Sequence, residues 1–322
     1  MTNIQEIARR AGVSPSTASR ALSGKGYVSE EKKLRVLAVA EQFDYVPNAN
    51  AVLLKSGTTR RIGLVAPSFE ESVSLFTGGF VRAAQENGYT VTLFMTGFDT
   101  AKEREALEAL RRKQVDALVF VMFLSGLPTI ASYAKYGPIV SWQRVVHEEV
   151  PSVFMDQYDG YMLGLEHLYA RGYRRICNVY GAGTRLNTQS RIEAFADFCR
   201  KYDLDPQAAP FFMEKGTTAH GEELARWWLE SGRIPDAFAT TNDQVAAGLV
   251  AEARRLGLRV PEDFAVCGFD NLDFAHLLDL TTIHYPVDEQ AANAFAMIRS
   301  RIEDIELPLR PLNFRLVERA TT

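Results

Sequence analysis

Long apolar runs and cysteine pairs are both missing from this sequence of 322 residues. It has no uninterrupted run of 18 or more apolar residues, so we expect no membrane span. The three cysteines (Cys177, Cys199 and Cys267) form no CxxC pair and are odd in number, which favours buried thiols over a disulfide framework. The N-terminal segment MTNIQEIARR does not have the pattern of a signal peptide. Together these absences predict a cytoplasmic protein.

Motifs for catalysis and for cofactor binding are also missing. The sequence has no GxxxxGK(S/T), HExxH or GxSxG segment, and Gly181-Ala182-Gly183 lacks the third glycine of a dinucleotide-binding loop. The five histidines have no metal-ligand spacing: His147, His167, His220, His276 and His284. His167 falls in a predicted helix, where we expect a structural role. We therefore expect no enzymatic activity, no cofactor and no metal ion.

A helix-turn-helix pattern lies near the N-terminus. An apolar stripe at helical spacing marks the first helix: Ile4, Ile7, Ala8 and Ala11. Gly12 follows where a chain leaving a helix often needs a positive φ. We expect Ser14 to cap the second helix, with Pro15 at its first position. Ala18 and Ala21 are small, so this helix can pack closely across the first.

The second helix has a polar face opposite those alanines. This face combines one guanidinium with short side chains: Pro15, Ser16, Thr17, Ser19 and Arg20. Such groups suit the floor of a DNA major groove, where Arg20 is our first choice for reading a guanine through two hydrogen bonds. We expect Ser14, Ser16 and Thr17 near bases or phosphates, while Pro15 offers only shape or methyl contact. A purely structural αα-corner is the alternative, because many small domains contain one.

Two further elements follow this corner. A third helix is predicted from Ser29 to Phe43, with an apolar side that completes a three-helix core: Leu34, Leu37, Val39 and Phe43. Next, Pro47-Asn48 indicates a helix start and Ser56-Gly57 a stop. The helix between them has only about two turns and is not stable alone. We expect it to form against its twin in a dimer or against DNA.

Charge is divided unequally along the chain. Residues 1–60 contain 9 Lys and Arg against 5 Asp and Glu, a balance of +4. The remaining residues contain 27 against 35, a balance of −8. A basic head on an acidic body fits a polyanionic partner for the head alone, which favours DNA binding over a merely structural corner.

After residue 60 the pattern changes to short apolar strands that alternate with helices. The predicted strands are Ile62–Ala66, Thr90–Phe94, Ala117–Val121, Pro138–Ser141, Ser152–Met155, Arg175–Val179, Ala237–Thr240, Phe264–Gly268 and Thr282–His284. The predicted helices are Phe80–Asn87, Lys102–Lys113, Met162–Ala170, Ile192–Tyr202, Glu222–Leu229, Gln244–Leu256 and Glu289–Arg301. This alternation predicts parallel sheets covered by helices, in two similar α/β lobes.

Three regions therefore organise the chain: a helix-turn-helix head (1–46), a hinge helix with its linker (47–60) and an α/β body (61–322). Within the body, we expect lobe 1 over about 61–156 and 287–308, and lobe 2 over about 157–286 and 309–322.

Lobes of this kind bind ligands beyond the carboxyl ends of their strands, so the residues there are candidates for a binding site. Arg191 is expected at the start of the helix after Arg175–Val179. The convergent set joins aromatic faces, amides, carboxylates and one guanidinium: Ser68, Phe69, Trp142, Gln143, Arg191, Asn242, Asp243 and Asp270. Aromatic faces flanked by hydrogen-bonding groups suit a small, polar, ring-shaped molecule such as a sugar.

Several of these residues have a structural alternative. Asn242-Asp243 can cap the helix that follows, and the sequence leaves both roles open for Asp243. Asp270 can also be a cap, but the helix after it is weak, which favours ligand contact. Trp142 can belong to the core, and Arg191 can pair with a carboxylate of its lobe.

In combination, these segments resemble the lactose and galactose repressor (LacI/GalR) family of transcription regulators. The head carries IQEIARRAGVSPSTASRALSG, and the hinge carries YVPNANAVLLKSG. The body continues the resemblance in RRKQVDALV, DGYMLGLEHLYARGYRRI, GLRVPEDFAVCGFDN, LTTIHYP and LVER. The resemblance thus runs the full length of the chain.

The resemblance implies an effector-controlled regulator, and a repressor in particular, that reads double-stranded operator DNA as a homodimer. It implies a hinge helix paired across the dimer, with three residues at the DNA: Asn48, Ala51 and Leu54. Leu54 would wedge into the minor groove and bend the duplex. Asn50 and Val52 stand where the family commonly has valine and arginine, which removes one phosphate contact. The chain ends at Thr322 without a heptad tail, so we expect a dimer and not a tail-made tetramer.

For the body, the resemblance implies a two-lobed sensor like periplasmic binding proteins, with a sugar or sugar derivative between the lobes. The family's effector contacts match Arg191 in TQSRIEAF, Asn242-Asp243, and Asp270 in GFDN. Gln143-Arg144 stands where the family often has an Asp-Arg pair, so lobe 1 lacks one carboxylate. Whether the effector releases the protein from DNA or fastens it stays open. A solute-binding sensor without DNA function is the alternative, and the basic head argues against it.

Overall fold

A computed structural model describes residues 3–24, 26–45, 57–69, 71–208 and 210–322. The chain divides into two compact units, Met1–Thr59 and Arg60–Thr322. The hinge residues that were singled out lie outside the described residues: Asn48, Asn50, Ala51, Val52 and Leu54.

The head is a bundle of three helices, α1 (Ile4–Ala11), α2 (Pro15–Ser23) and α3 (Glu30–Gln42). Its core consists of small and β-branched side chains: Ile7, Ala8, Ala11, Ala18, Ala21, Val36 and Ala40. Gly12 ends α1 with a φ of 65°, and the Ser14 side chain accepts a hydrogen bond from the Thr17 amide at 3.2 Å. The predicted corner, with its glycine exit and serine cap, is therefore confirmed.

The buried side of α3 differs from the prediction. Leu34 and Leu37, expected in the core, are 59% and 41% exposed, whereas Val36 and Ala40 are buried. At about 100° per residue, Ala40 and Phe43 share the face of Val36, while Leu34 lies roughly 160° away. Burial in α3 therefore follows the side that packs on α1 and α2, where Val36 and Ala40 lie, and not the side of Leu34.

The body contains one sheet in each lobe. The strands of lobe 1 are β1 (Arg61–Ala66), β2 (Thr90–Met95), β3 (Ala117–Phe120) and β4 (Ile139–Ser141), in the order β2-β1-β3-β4. The strands of lobe 2 are β5 (Ile176–Val179), β6 (Phe211–Phe212), β7 (Ala237–Ala239), β8 (Ala265–Asp270), β9 (Thr281–His284) and β10 (Arg315–Val317), in the order β10-β9-β8-β7-β5-β6. Both sheets are parallel apart from β10, which runs antiparallel to β9. The predicted fold class, a helical head with two parallel α/β lobes, is confirmed.

One predicted strand is wrong. Within the described residues, the segment expected as the strand Ser152–Met155 makes only a single parallel bridge, between Ser152 and Ser141. The Ser141 amide donates to the Pro151 carbonyl, and the Val153 amide donates to the Ser141 carbonyl. The chain then leaves the edge of lobe 1 towards lobe 2, so no ladder continues. The strands β6 and β10 were not predicted, since both are too short for a clear pattern.

Helices cover the sheets of the body. They are α4 (Glu71–Glu86), α5 (Thr100–Arg111), α6 (Leu127–Ala131), α7 (Tyr158–Ala170), α8 (Leu186–Tyr202), α9 (Thr218–Glu230), α10 (Asp243–Arg255), α11 (Asp273–Leu277) and α12 (Val287–Glu303), with a 3₁₀ turn at Ala134–Tyr136. The prediction began α4 only at Phe80, because Gly78 and Gly79 weaken the helical pattern before it. Gly79 lies where α4 packs closely on α12, since an added Cβ would be 3.0 Å from the Ala291 Cβ.

The strand order places the candidate site. In lobe 1 the order reverses between β1 and β3, and in lobe 2 between β5 and β7. Ligands of open α/β sheets bind beyond the carboxyl ends of strands at such reversals. Ser68 follows β1, and Asn242 follows β7. The chain also crosses between the lobes before α7, before α12 and before β10, so the cleft lies beside these crossings.

The contact between α9 and α10 depends on two glycines. An added Cβ at Gly248 would lie 2.0 Å from the Thr218 carbonyl oxygen, and one at Gly221 would lie 2.1 Å from the Val245 carbonyl oxygen.

We predict that Gly248→Ala destabilises the body by about 1–3 kcal/mol, because the added Cβ meets the backbone of α9, which cannot move aside as a flexible side chain can. Urea unfolding followed by circular dichroism measures the change.

Gly78→Ala is the matched control. Gly78 is also helical, and an added Cβ there meets nothing within 4 Å. This variant should gain roughly 0.5–1 kcal/mol from helix propensity alone. Equal unfolding midpoints for the two variants would contradict the packing argument.

Candidate DNA-binding and effector sites

The exposed face of α2 presents the predicted DNA contacts on the head. Pro15, Ser16 and Arg20 are exposed, while Thr17 and Ser19 are half-buried. Ser14 caps the helix, and its hydroxyl also lies 2.8 Å from the Ser16 hydroxyl and 2.9 Å from that of Thr17. Ser14 and Thr17 are thus partly used within the head. Ser16 and Arg20 are exposed polar groups of the helix.

The arginines of α1 differ from Arg20 in their surroundings. Arg9 and Arg10 each lie 2.6 Å from a carboxylate oxygen of Glu6, and these hydrogen bonds lower the pKa of Glu6 to about 2. The Arg10 guanidinium also covers the ring of Phe43 at 4.1 Å. The charge of α1 is therefore partly compensated within the helix, although both arginines are exposed, whereas Arg20 is an exposed guanidinium on α2 itself.

Arg191 lies at the carboxyl ends of β7 and β8 in lobe 2. It lies in the second turn of α8, not at the helix start, and only 5% of it is exposed. Its Nε donates to Gln157 Oε1 at 2.9 Å, and its Nη1 donates to the Thr241 carbonyl at 2.6 Å. The guanidinium carbon is 3.9 Å from the centre of the Phe269 ring. Burial lowers the pKa of Arg191, and the charge of nearby Asp270 opposes that shift.

The alternative role for Arg191, an ion pair with a carboxylate of its lobe, is not seen in the part of the chain that the structure describes. Its hydrogen bonds run to an amide and a carbonyl. A guanidinium has five N–H donors, so two hydrogen bonds leave it able to bind further acceptors. Arg191 can therefore donate hydrogen bonds to a polar ligand while its guanidinium stays packed on the Phe269 ring.

Asn242 and Asp243 have separate roles in lobe 2. Asn242 is the N-cap of α10, since its Oδ1 accepts from the Val245 amide at 3.0 Å, while its Nδ2 donates to the Gly216 carbonyl. Asp243 is fully buried and is not the cap. It therefore takes neither the capping role nor an exposed position on the cleft wall.

Asp270 ends β8 in an unusual backbone conformation. Its φ is 111°, and that of Asn271 is 58°. The short helix α11 begins only at Asp273, with Leu272 at its N-cap and no side-chain cap hydrogen bond. Asp270 is half-buried at the carboxyl end of its strand. This position fits a ligand contact better than the alternative role of a helix cap.

Lobe 1 contributes aromatic and amide groups. Phe69 is 54% exposed just after β1, and Ser68 beside it is half-buried. Trp142 is half-buried, stacks on Phe76 at 4.6 Å between ring centres, and is therefore partly a core residue. Gln143 is exposed, and its Oε1 accepts from the Phe123 amide at 2.9 Å. One end of that amide thus supports the loop after β3.

Three further polar residues link these two walls, and the sequence analysis missed them. Gln290, fully buried in α12, accepts from Trp142 Nε1 at 3.2 Å and donates to the Tyr285 hydroxyl at 3.3 Å. Gln157 accepts a hydrogen bond from Arg191 and lies close enough to the Tyr285 hydroxyl to oppose the rise that burial causes in the pKa of that group. Gln157 and Tyr285 lie beside the predicted lobe boundaries, where the chain crosses from one lobe to the other. That position was the one sequence signal for these two residues.

Proteins of known family are similar to this chain over its full length. Residues 3–48 match the family described as bacterial regulatory proteins, lacI family, and residues 165–322 match a periplasmic binding protein-like domain. The HTH-type transcriptional regulator YkvZ of Bacillus subtilis is 32% identical, with 100% of each chain covered. The ribose operon repressor of Halalkalibacterium halodurans is 30% identical, with 100% of this chain and 97% of that protein covered.

The chain belongs to the LacI family. It is thus an effector-controlled DNA-binding regulator of transcription and not an enzyme.

Solved structures of LacI-family proteins share the fold. The lac repressor dimer bound to operator and the anti-inducer ONPF has a TM-score of 0.83 at 23% identity, with 99% of this chain and 98% of that chain covered. A LacI-family regulator from Lactobacillus casei with bound sucrose has a TM-score of 0.71 at 25% identity, with 81% and 99% covered.

The cysteines and His167 of this LacI-family chain are buried or hydrogen-bonded within the body. The three cysteines are free and buried, and burial raises the pKa of each thiol. His167 lies in α7, as expected, and is half-buried, with its Nε2 2.8 Å from the Thr322 hydroxyl. Within the described ranges, no cluster of potential metal ligands occurs. Among the described helices, none combines the length and apolar character that crossing a membrane requires.

Asp243 makes the stability of the regulator's body depend on pH. Burial raises the pKa of its carboxyl from its ordinary 3.8 to about 7, against the opposing effects of Thr282, Leu272 and Arg319. In the unfolded chain the group loses its proton near pH 4, so between about pH 4 and 7 only the folded state keeps it. Its stabilising contribution is therefore full at low pH and is lost as the pH rises through about 7.

We predict that the urea midpoint falls further between about pH 5 and pH 8 in the wild type than in Asp243→Asn, because the amide has no proton to lose. Urea titrations at several pH values, followed by circular dichroism, test this difference. Parallel pH profiles for the two proteins would show that Asp243 does not titrate in this range.

Proposed function

We propose that this regulator is a repressor that binds operator DNA as a homodimer and takes a sugar or sugar derivative in the cleft between its lobes. The observation that carries the effector assignment is the position of the Arg191 guanidinium at the carboxyl ends of β7 and β8. It donates to the Thr241 carbonyl, lies on the Phe269 ring and interacts with the charge of Asp270. The guanidinium and the carboxylate complement the hydroxyl groups of a sugar, while the buried Phe269 ring supports the guanidinium. Binding sites for small molecules typically combine a few such polar groups with aromatic and apolar side chains.

The remaining contacts proposed for the effector come from both lobes. They are Ser68, Phe69, Trp142 and Gln143 of lobe 1 and Asn242 of lobe 2. The exposed ring of Phe69 and the partly exposed ring of Trp142 support this assignment. Two relatives support the ligand class: one is named as a ribose operon repressor, and one holds sucrose.

The DNA contacts proposed for the head lie on α2 and in the hinge: Ser14, Pro15, Ser16, Thr17, Ser19 and Arg20, with Asn48, Ala51 and Leu54. The exposed guanidinium of Arg20 supports base reading, since arginine matches the O6 and N7 acceptors of guanine. The lac repressor was solved as a dimer on its operator, which supports a dimer here.

Control of DNA binding would follow from the two-lobed body. An effector shifts the balance between two arrangements only by its difference in affinity for them. The proposed hinge, residues 47–60, would carry that shift to the head. The same coupling would make operator DNA change the affinity for the effector by the same factor.

We predict that Arg20→Ala weakens operator binding by roughly 1–3 kcal/mol and relaxes the preference at one base pair. Arg20→Lys is the matched variant, because it keeps the charge and loses the forked donor geometry. It should keep the salt dependence and lose the base preference. Fluorescence anisotropy with a set of operator variants, at several salt concentrations, measures both quantities. Unaltered base preference in Arg20→Ala would remove Arg20 from this role.

We predict that Arg191→Ala abolishes the response to ribose, glucose or sucrose while operator binding in their absence is kept. The side chain that supplies the central donors would be gone, whereas the head is unchanged. Thermal shift with these sugars and anisotropy with operator DNA measure the two properties. Arg200→Ala, an exposed change on the same helix, is the control. A sugar response that survives in Arg191→Ala would place the effector elsewhere.

A further inference from the structure

The turn that carries Asp270 is held in a backbone conformation that residues with a Cβ avoid. Asp270 has a φ of 111° and Asn271 a φ of 58°. Such conformations persist only where the surrounding structure over-determines them, and they occur often at ligand sites. The groups that enforce this turn therefore decide where the Asp270 carboxylate points.

The carboxylate of Asp243 holds the turn from the side of α10. Its Oδ2 accepts from the Leu272 amide at 2.7 Å, and its Oδ1 accepts from the Thr282 hydroxyl at 2.5 Å. The Asn271 amide in turn donates to the same Thr282 hydroxyl at 3.4 Å. Asp243 thus fixes both residues that follow Asp270, one directly and one through β9.

Arg319 holds the turn from the opposite side. Its Nη2 donates to Asn271 Oδ1 at 2.9 Å, and its Nη1 donates to the Leu280 carbonyl at 2.6 Å. The turn is therefore clamped between α10, β9 and the segment after β10. Of these groups, Asp243 and Thr282 have no exposed surface, whereas Arg319 is half-buried.

Gly268 provides the space for this carboxylate. A Cβ added there would lie 2.2 Å from Asp243 Oδ1. Its backbone is not in the left-handed region, so β8 does not need glycine for its conformation. The missing side chain instead admits the Asp243 carboxylate against the strand, two residues before Asp270.

We infer that Asp243 is a positioning residue for the effector site, which acts through the clamped turn of Asp270 and does not touch the effector itself. Both its oxygens are used by Leu272 and Thr282, and its side chain is shielded from the cleft. This inference rests on the proposed function, because it assigns Asp270 to the effector. Asp243 therefore has a different role from Asn242 and Arg191, although the sequence predicts all three as effector contacts.

The amide of Asp243→Asn can replace the carboxylate, since its oxygen can accept from Leu272 and its NH₂ can donate to the Thr282 hydroxyl. Asp243→Ala removes both contacts, and Gly268→Ala displaces the carboxylate without changing it. Glu252→Ala is the matched control: Glu252 is a nearly buried carboxylate on the same helix, bound to Arg226 and Arg255 and not to the turn.

Hydrogen–deuterium exchange of the full chain without ligand tests the clamp. Peptides covering residues 269–273 should exchange at least tenfold faster in Asp243→Ala and Gly268→Ala, and near the wild-type rate in Asp243→Asn and Glu252→Ala. Unchanged exchange in Asp243→Ala, or a rise as large in Glu252→Ala, would overturn the inference.

Calorimetric titration with ribose, glucose and sucrose tests the link to the effector. Affinity for a sugar that binds the wild type should fall at least tenfold in Asp243→Ala and stay within about threefold in Asp243→Asn. Equal losses in both variants, with the turn still protected in Asp243→Asn, would mean that Asp243 contacts the sugar directly. A wild type that binds none of the three sugars would contradict the proposed function, and the exchange experiment would still decide the clamp.

Discussion

The buried charge of Arg191 is the constraint on which the effector cleft depends. A guanidinium keeps its charge at every ordinary pH, and burying it is costly unless its donors and charge are satisfied. Here Gln157 and the Thr241 carbonyl satisfy two donors, the Phe269 ring covers one face, and Asp270 supplies a nearby negative charge. A polar ligand in the cleft would complete this set. The positions of Gln157, Thr241, Phe269 and Asp270 in lobe 2 are explained by their contacts with this one side chain.

The same constraint connects the two lobes. From Arg191, neighbouring polar groups continue through Gln157 and Tyr285 to Gln290 and then to Trp142 at the wall of lobe 1. Hydrogen bonds join Arg191 to Gln157, Gln290 to Tyr285, and Trp142 to Gln290, and Gln157 lies near the Tyr285 hydroxyl. All of these partners after Arg191 are neutral, so they can exchange hydrogen bonds without leaving a bare charge in the core. Such a path suits a body that changes its lobe arrangement when a ligand binds. The aromatic stack of Trp142 on Phe76 anchors its far end in lobe 1.

The sequence was sufficient for the features that depend on local patterns. The corner with Gly12 and Ser14 and the parallel lobes follow from caps and from strand alternation. Leu34 was assigned to the core wrongly, because apolar character alone does not decide which side of α3 faces a tight bundle. Gln157 and Gln290 were missed for a different reason. Their importance comes from long-range contacts, and the position of Gln157 at a predicted lobe boundary does not indicate which residues it contacts.

The central claim is that ligand binding in the cleft sets the affinity for DNA. The most direct test is fluorescence anisotropy of the wild-type protein with a DNA site selected from a random pool, with and without a sugar that binds the protein. Coupling of the usual size for allosteric proteins predicts a change in DNA affinity of about 5- to 150-fold, in either direction. A DNA affinity that stays the same at saturating sugar would contradict the account.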